Sequence, residues 1–141
     1  MRDEAPLRLR LRAALERETD LRWACLFGSA ARGADTPRDV DLAVMPAPGR
    51  FDDLVELGAL AARLTTALDR TVDVVDLRDA PLSFVGPLLN ERVLVLDRAP
   101  RERAPWEAER AVRWIDFRAT WEQAERVRRE ALRRRLAAAA G

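Results

Sequence analysis

The chain of 141 residues contains no histidine and no lysine. Without histidine there is no Ser-His-Asp or Cys-His catalysis, no imidazole metal ligand and no histidine general base. Without lysine there is no P-loop lysine and no Schiff-base nucleophile, because all 25 basic residues are arginine. Cys25 is the single cysteine, which excludes an internal disulfide and a cysteine-built zinc site. No apolar run approaches the roughly 18 residues of a membrane span. The opening segment, MRDEAPLRLRLR, lacks the apolar core of a secretory leader. The expectation is therefore a cytoplasmic chain with no membrane contact. Any chemistry must run on carboxylates, hydroxyls, guanidinium groups and backbone amides.

What is present describes one folded unit. Apolar residues make up 48% and charged residues 35%, too apolar a mixture for a disordered chain. A chain of this length can bury roughly two-thirds of its unfolded surface without a metal or disulfide staple. Charge is unevenly spread. Residues 1–100 carry 14 Arg against 17 Asp and Glu, net −3; residues 101–141 carry 11 Arg against 7, net +4. The first part suits cations and the tail suits an acidic partner.

Periodicity predicts alternating helices and strands. Leu7, Leu11 and Leu15 mark an amphipathic helix over 4–19, and LRWACLF (21–27) is a short apolar run that reads as a buried strand. Residues 28–38 carry turn chemistry with room for a short helical turn. DVDLAVMP (39–46) alternates, with Val40, Leu42 and Val44 facing one way and Asp39, Asp41 and Ala43 the other. A helix over 51–69, a strand over 71–77, a short broken helix over 81–90 and a strand over 92–97 follow. Residues 98–105 read as a linker, and Pro105 stands where a helix can start. From there to about Ala140 neither Pro nor Gly intervenes, which predicts one helix on the order of 50 Å long. The chain thus divides into a domain over 1–97, a linker over 98–105 and a helical extension over 106–141. The alternation points to an α/β sheet whose topology the pattern leaves open.

The chemistry concentrates in Leu26-Phe27-Gly28-Ser29-Ala30-Ala31-Arg32-Gly33 and the following Asp39-Val40-Asp41. Gly28 lets the backbone approach a ligand closely, and Ser29 adds a hydroxyl and an amide suited to phosphate oxygens. Asp39 and Asp41, two apart on a strand, project side by side and repel unless a cation lies between them. Paired carboxylates with substrate phosphates suit Mg²⁺. A third carboxylate would complete a two-metal site. Asp73 and Asp76 are three apart, so they face opposite sides of the sheet and only one can join; the pattern does not choose. Arg32 can pair with phosphates or serve as an ordinary surface arginine. Cys25, among apolar neighbours in a strand, reads as a small buried hydrophobe.

Gly28-Ser29, a nine-residue spacer and Asp39-Val40-Asp41 resemble the signature of the nucleotidyltransferase superfamily that includes DNA polymerase β. LFGSAARG, DVDLAV and VDVVDL are similar to the minimal nucleotidyltransferase (MNT) domains of prokaryotes, over about residues 7–97. The spacer is one residue shorter than is usual there, and Arg38 stands where serine is common. The resemblance implies a small mixed sheet of about four strands flanked by helices, with Asp73 as the third metal carboxylate and Asp76 outside the site. It implies two Mg²⁺ ions on Asp39, Asp41 and Asp73, ATP as substrate with its phosphates on Gly28, Ser29 and Arg32, and transfer of AMP. Many members are antitoxins paired with a helical HEPN ribonuclease, and some adenylylate a tyrosine of that toxin. The rival readings are a non-catalytic antitoxin that neutralises by contact, and transfer to a small molecule such as an aminoglycoside. Enzymes of the last kind carry a substantial helical second domain, for which the tail is too short.

Trp114, Phe117, Trp121 and Ala124 fall on one face of the long helix. Such a stripe either packs on its own sheet or docks a protein, a HEPN-type partner or a second copy of the chain. The expectation is a face shared between the two. The arginines at 126, 128, 129 and 133–135 are interleaved with Glu125 and Glu130 but with no aromatic residue, which favours a solvated helix end over nucleic-acid binding.

Overall fold

The computed structural model describes residues 6–33 and 38–140. Residues 4 and 5 of the expected first helix, and 34–37 of the expected loop, lie outside the described residues. In chain order the elements are α1 (Leu7–Glu16), β1 (Leu21–Phe27), α2 (Gly28–Ala31), β2 (Asp39–Pro46), α3 (Leu54–Leu68), β3 (Thr71–Asp76), α4 (Leu82–Glu91), β4 (Val93–Asp97) and α5 (Pro100–Ala140). The strands form one mixed sheet in the order β3-β2-β1-β4. β1 runs antiparallel to both β2 and β4, while β2 and β3 are parallel. A parallel pair needs a crossover, and α3 supplies it. Asp53 starts that helix by accepting the Glu56 amide at 2.7 Å, a side-chain cap on a donor the helix itself cannot satisfy.

The alternation along β2 sets the layers. Val40, Leu42 and Val44 are fully buried with Leu11 and Leu15 of α1 and Leu60, Leu64 and Leu68 of α3. Ala43 and Met45 point the other way, into a second cluster with Trp23, Cys25, Val85 and Leu88, against which Trp106 of α5 packs. Helices thus cover both faces of the sheet. Cys25 is buried, and burial pushes its thiol up to about 12, so it serves as a small hydrophobe.

Three expectations are corrected. α1 ends at Glu16, because the Arg98 guanidinium donates to the carbonyls of Leu15, Glu16 and Glu18 and so fixes the chain as it turns toward β1. α4 is unbroken from Leu82 to Glu91 with Pro87 inside it. Gly86, the residue before it, has no Cβ to meet the proline ring, and it is seated directly on the Trp114 indole: a Cβ there would overlap that ring. Residues 100–105, expected as linker, are already helix. Pro100 occupies the first helical position, which needs no donor of its own, and the Ala99 carbonyl accepts from the amides of Glu102 and Arg103. Side chains then pin this first turn. Arg103 bridges Asp97 and Glu107, Glu107 holds Arg92 at the end of α4, and Trp106 stacks edge-on against Trp23 at 5.7 Å.

α5 has 41 residues, about 60 Å of helix, longer than the sheet it crosses. Trp114 is 8% exposed and is the one buried residue of α5. Beyond it, Phe117 is 39% and Ile115 66% exposed, and the rings of Trp114, Phe117 and Trp121 follow one another at 6.3–6.4 Å. The aromatic stripe therefore begins in the core and continues out along a helix that its own domain does not cover. No helix among the described residues is long and apolar enough to cross a membrane.

This division predicts a sharp contrast in urea denaturation. Trp114→Ala should cost about 3–5 kcal/mol, the usual loss on emptying a buried Trp site, whereas Trp121→Ala should change stability by less than about 1 kcal/mol. Equal losses in the two variants would mean that the stripe is packed along its whole length.

Candidate active site

The site is built where β1 hands the chain to α2. Gly28 has φ +70°, a left-handed conformation that side chains resist. It is also crowded: a Cβ there would lie 2.5 Å from Oδ2 of Asp41. Both the turn and the close approach therefore require glycine. Phe27, the residue before it, is the register partner of Asp41 across the antiparallel β1/β2 pair. The phosphate-type turn and the carboxylate strand are thus joined through neighbouring positions of one ladder. Ser29 stands exposed at the rim, and Arg32 caps the short α2, its amide 3.2 Å from the Gly28 carbonyl.

The parallel β2/β3 register places Asp73 directly beside Asp41, and Thr71 beside Asp39. Paired residues share a face, so Asp41 and Asp73 project together on the α4 side of the sheet, with Asp39 two residues up the same strand. Asp76 is paired with Val44 and so belongs to the opposite face. There its carboxylate is held by Arg78 at 2.8 Å, and Arg78 also reaches Asp52 and the Phe51 carbonyl. Asp76 thus fastens the β3–α4 turn to the start of α3, a structural task.

Electrostatics separates the two kinds of acid further. Arginines take Glu18, Asp52, Asp76, Asp97 and Glu107. Among the described residues, Asp39, Asp41 and Asp73 make no ion pair, although the chain is rich in arginine. Burial raises the Asp41 carboxyl above its ordinary value of 3.8, and the charges of Asp73 and Asp39 push it further the same way, while Arg32 opposes them. Three oxygen donors aligned on adjacent strands, left without a guanidinium, fit a hard divalent cation such as Mg²⁺. They are aligned rather than closed: among the described residues no group of three or more ligating side chains is gathered tightly enough to hold an ion as it stands. The Arg32 guanidinium has its Nη1 3.7 Å from Glu91 at the end of α4. Glu91 escapes sequence reasoning altogether, since nothing local marks a residue 59 positions from Arg32 as its neighbour.

Residues 10–101 match the family described as Polymerase beta, Nucleotidyltransferase. The chain belongs to that family. The nucleotidyltransferase fold extends to solved structures. One is a toxin–antitoxin with AMP-PNP, 22% identical with a TM-score of 0.66, covering 89% of this chain and 97% of that one. Another is the tri-AMPylated Shewanella oneidensis HEPN toxin in complex with MNT antitoxin, 22% identical with a TM-score of 0.63, covering 89% and 98%. A structure described as a minimal nucleotidyltransferase is 29% identical with a TM-score of 0.52, covering 65% and 98%. No curated protein matches this nucleotidyltransferase by sequence.

The raised Asp41 carboxyl carries a stability consequence. Its folded form binds the proton more tightly than its unfolded form, so ionising it destabilises the fold, and the penalty is fully present above its raised value. As the pH falls the penalty is relieved. Asp41→Asn should therefore melt higher than the parent at neutral pH in metal-free buffer, and the gap should close well below pH 3.8, where both forms are neutral. A gap that is absent at neutral pH, or that widens in acid, would contradict the crowding of the three carboxylates.

Proposed function

We propose that this nucleotidyltransferase is the antitoxin of a toxin–antitoxin pair, and that it transfers AMP from ATP to a tyrosine of a HEPN ribonuclease toxin in the cytoplasm. The observation that carries the reading is the line of three carboxylates without arginine partners, set against the glycine turn of a nucleotidyltransferase domain. Two relatives of the same fold support its direction, one holding AMP-PNP and the other standing beside an AMPylated toxin. The chain itself contains no tyrosine, so a tyrosine acceptor has to come from another protein.

In this reading Asp39, Asp41 and Asp73 would hold two Mg²⁺ ions, which would supply charge neutralisation for the triphosphate and acidify the acceptor hydroxyl. The amides of the Gly28–Ser29 turn and the Ser29 hydroxyl donate to phosphate oxygens, an approach that the missing Cβ at Gly28 permits. Arg32 adds a guanidinium fork to the same phosphates. Asp73, on the outer strand of the pair, takes the proton from the attacking hydroxyl. The tyrosine oxygen bonds to the α-phosphorus, the bond to the β-phosphate bridge breaks, and pyrophosphate leaves. The acceptor arrives on a partner docked along the outer run of α5, where exposed Phe117 and half-buried Trp121 offer aromatic anchors and the net +4 tail attracts an acidic surface.

The test mixes this chain with a HEPN-type toxin, ATP and Mg²⁺, and weighs the toxin intact. The expected product carries whole adenylyl groups on tyrosine. Asp39→Ala with Asp41→Ala should abolish the mass gain, Asp73→Asn should slow it about 100-fold or more, and Asp76→Asn should keep most of it. A mass gain that survives the double variant, or a loss confined to Asp76→Asn, would overturn the catalytic assignment. Neutralisation of the toxin with no mass gain in the parent would favour an antitoxin that works by contact alone.

A further inference from the structure

Arg32 has little to hold it in place. It follows a helix of only four residues and precedes Gly33, whose φ is +84° and around whose Cβ position there is open space. The guanidinium nevertheless stands at the rim of the carboxylate cluster. Among the described residues its one ion-pair partner is Glu91, through Nη1 at 3.7 Å.

Glu91 is unusually well placed to act as a fixed point. It is the last residue of α4, and the next residue, Arg92, is clamped from the opposite side. Arg92 donates through Nε and Nη2 to the two carboxylate oxygens of Glu107, at 2.5 and 2.8 Å, with both side chains largely buried. Glu107 in turn takes Arg103 at 2.5 Å. Gly86, further up α4, is seated on Trp114. The backbone under Glu91 is therefore anchored to α5 at two points, while its own side chain reaches out over the active-site turn.

Resting on the nucleotidyltransferase reading of the site, we infer that Glu91 is a positioning residue that holds the Arg32 guanidinium by one end so that its free edge is presented to the nucleotide phosphates. A guanidinium has five N–H donors in a rigid fork. The contact with Glu91 is made through Nη1, at 3.7 Å, and Nε and Nη2 form the edge that pairs with two phosphate oxygens at once. Lacking this hold, Arg32 samples many rotamers above an open glycine and loses side-chain freedom only when ATP binds, which weakens binding. An exposed pair contributes little to fold stability, so the residue acts on the ligand rather than on the fold.

A double-mutant cycle on the full chain tests this, with ATP affinity measured calorimetrically in Mg²⁺ and melting temperature recorded alongside. Glu91→Ala should weaken ATP binding about 3- to 10-fold with an unchanged melting temperature, and Glu91→Asp should recover part of the loss. Arg32→Ala should weaken binding more. Adding Glu91→Ala to Arg32→Ala should cost nothing further, because Glu91 works through Arg32. Unchanged or tighter binding in Glu91→Ala, or the same loss with and without Arg32, would overturn the positioning role and leave the nucleotide site standing. Failure of the parent chain to bind any nucleoside triphosphate would overturn the nucleotide reading itself, and the positioning role with it.

Discussion

The parallel register between β2 and β3 is the constraint on which the site depends. It sets Asp73 beside Asp41 on the face of α4 and sends Asp76 to the other side. A slip by one residue would exchange those roles, since side chains alternate with period two. The register is held by burial, because Val72 and Val74 of β3 would leave the core on such a slip. The same alternation that gives the sheet a dry interior thus delivers two carboxylates to adjacent positions at the cleft. Their mutual repulsion is a standing cost that the charge of Arg32 only opposes, and among the described residues no arginine forms an ion pair with either.

The second face of the sheet ties this site to the long helix. α4 lies between them: its middle is seated on Trp114, its end is clamped through Arg92 and Glu107, and its last side chain reaches Arg32. One rigid element therefore touches both the active-site rim and the base of the helix whose outer part stands uncovered. The acidic cleft and the basic arm also sort the charge of the chain into different regions of one small molecule.

How much of this could be read from the residues varies with the range of the interaction involved. The order of strands and helices was legible because each rests on local periodicity, and the facing of Val40, Leu42 and Val44 followed from period two alone. Asp73 and Asp76 could be put on opposite faces from their spacing, yet which one meets Asp41 depends on register, a property of two strands whose paired residues lie 32 positions apart in sequence. The resemblance to minimal nucleotidyltransferases pointed to Asp73, and the register sets that residue beside Asp41. The start of α5 was misread because RAPRERAP has the composition of a linker, while what makes it helical is contact with Asp97, Arg92 and Trp23. α4 looked broken because its proline was read without the glycine before it, which has no Cβ to meet the proline ring. Glu91 carried no signal at all. The aromatic stripe was visible as a stripe, but only packing divides Trp114 from Phe117 and Trp121.

On the proposed function, Asp41 and Asp73, brought together by the β2/β3 register, would hold a divalent cation with ATP. Electron paramagnetic resonance of Mn²⁺, used in place of Mg²⁺, measures this without reference to any acceptor protein. The account predicts that the full chain binds Mn²⁺ weakly alone and far more tightly when ATP is added. It further predicts that Asp41→Asn combined with Asp73→Asn reduces the signal of bound ion to that of Mn²⁺–ATP in buffer. Mn²⁺ held equally well by that folded double variant would contradict the account.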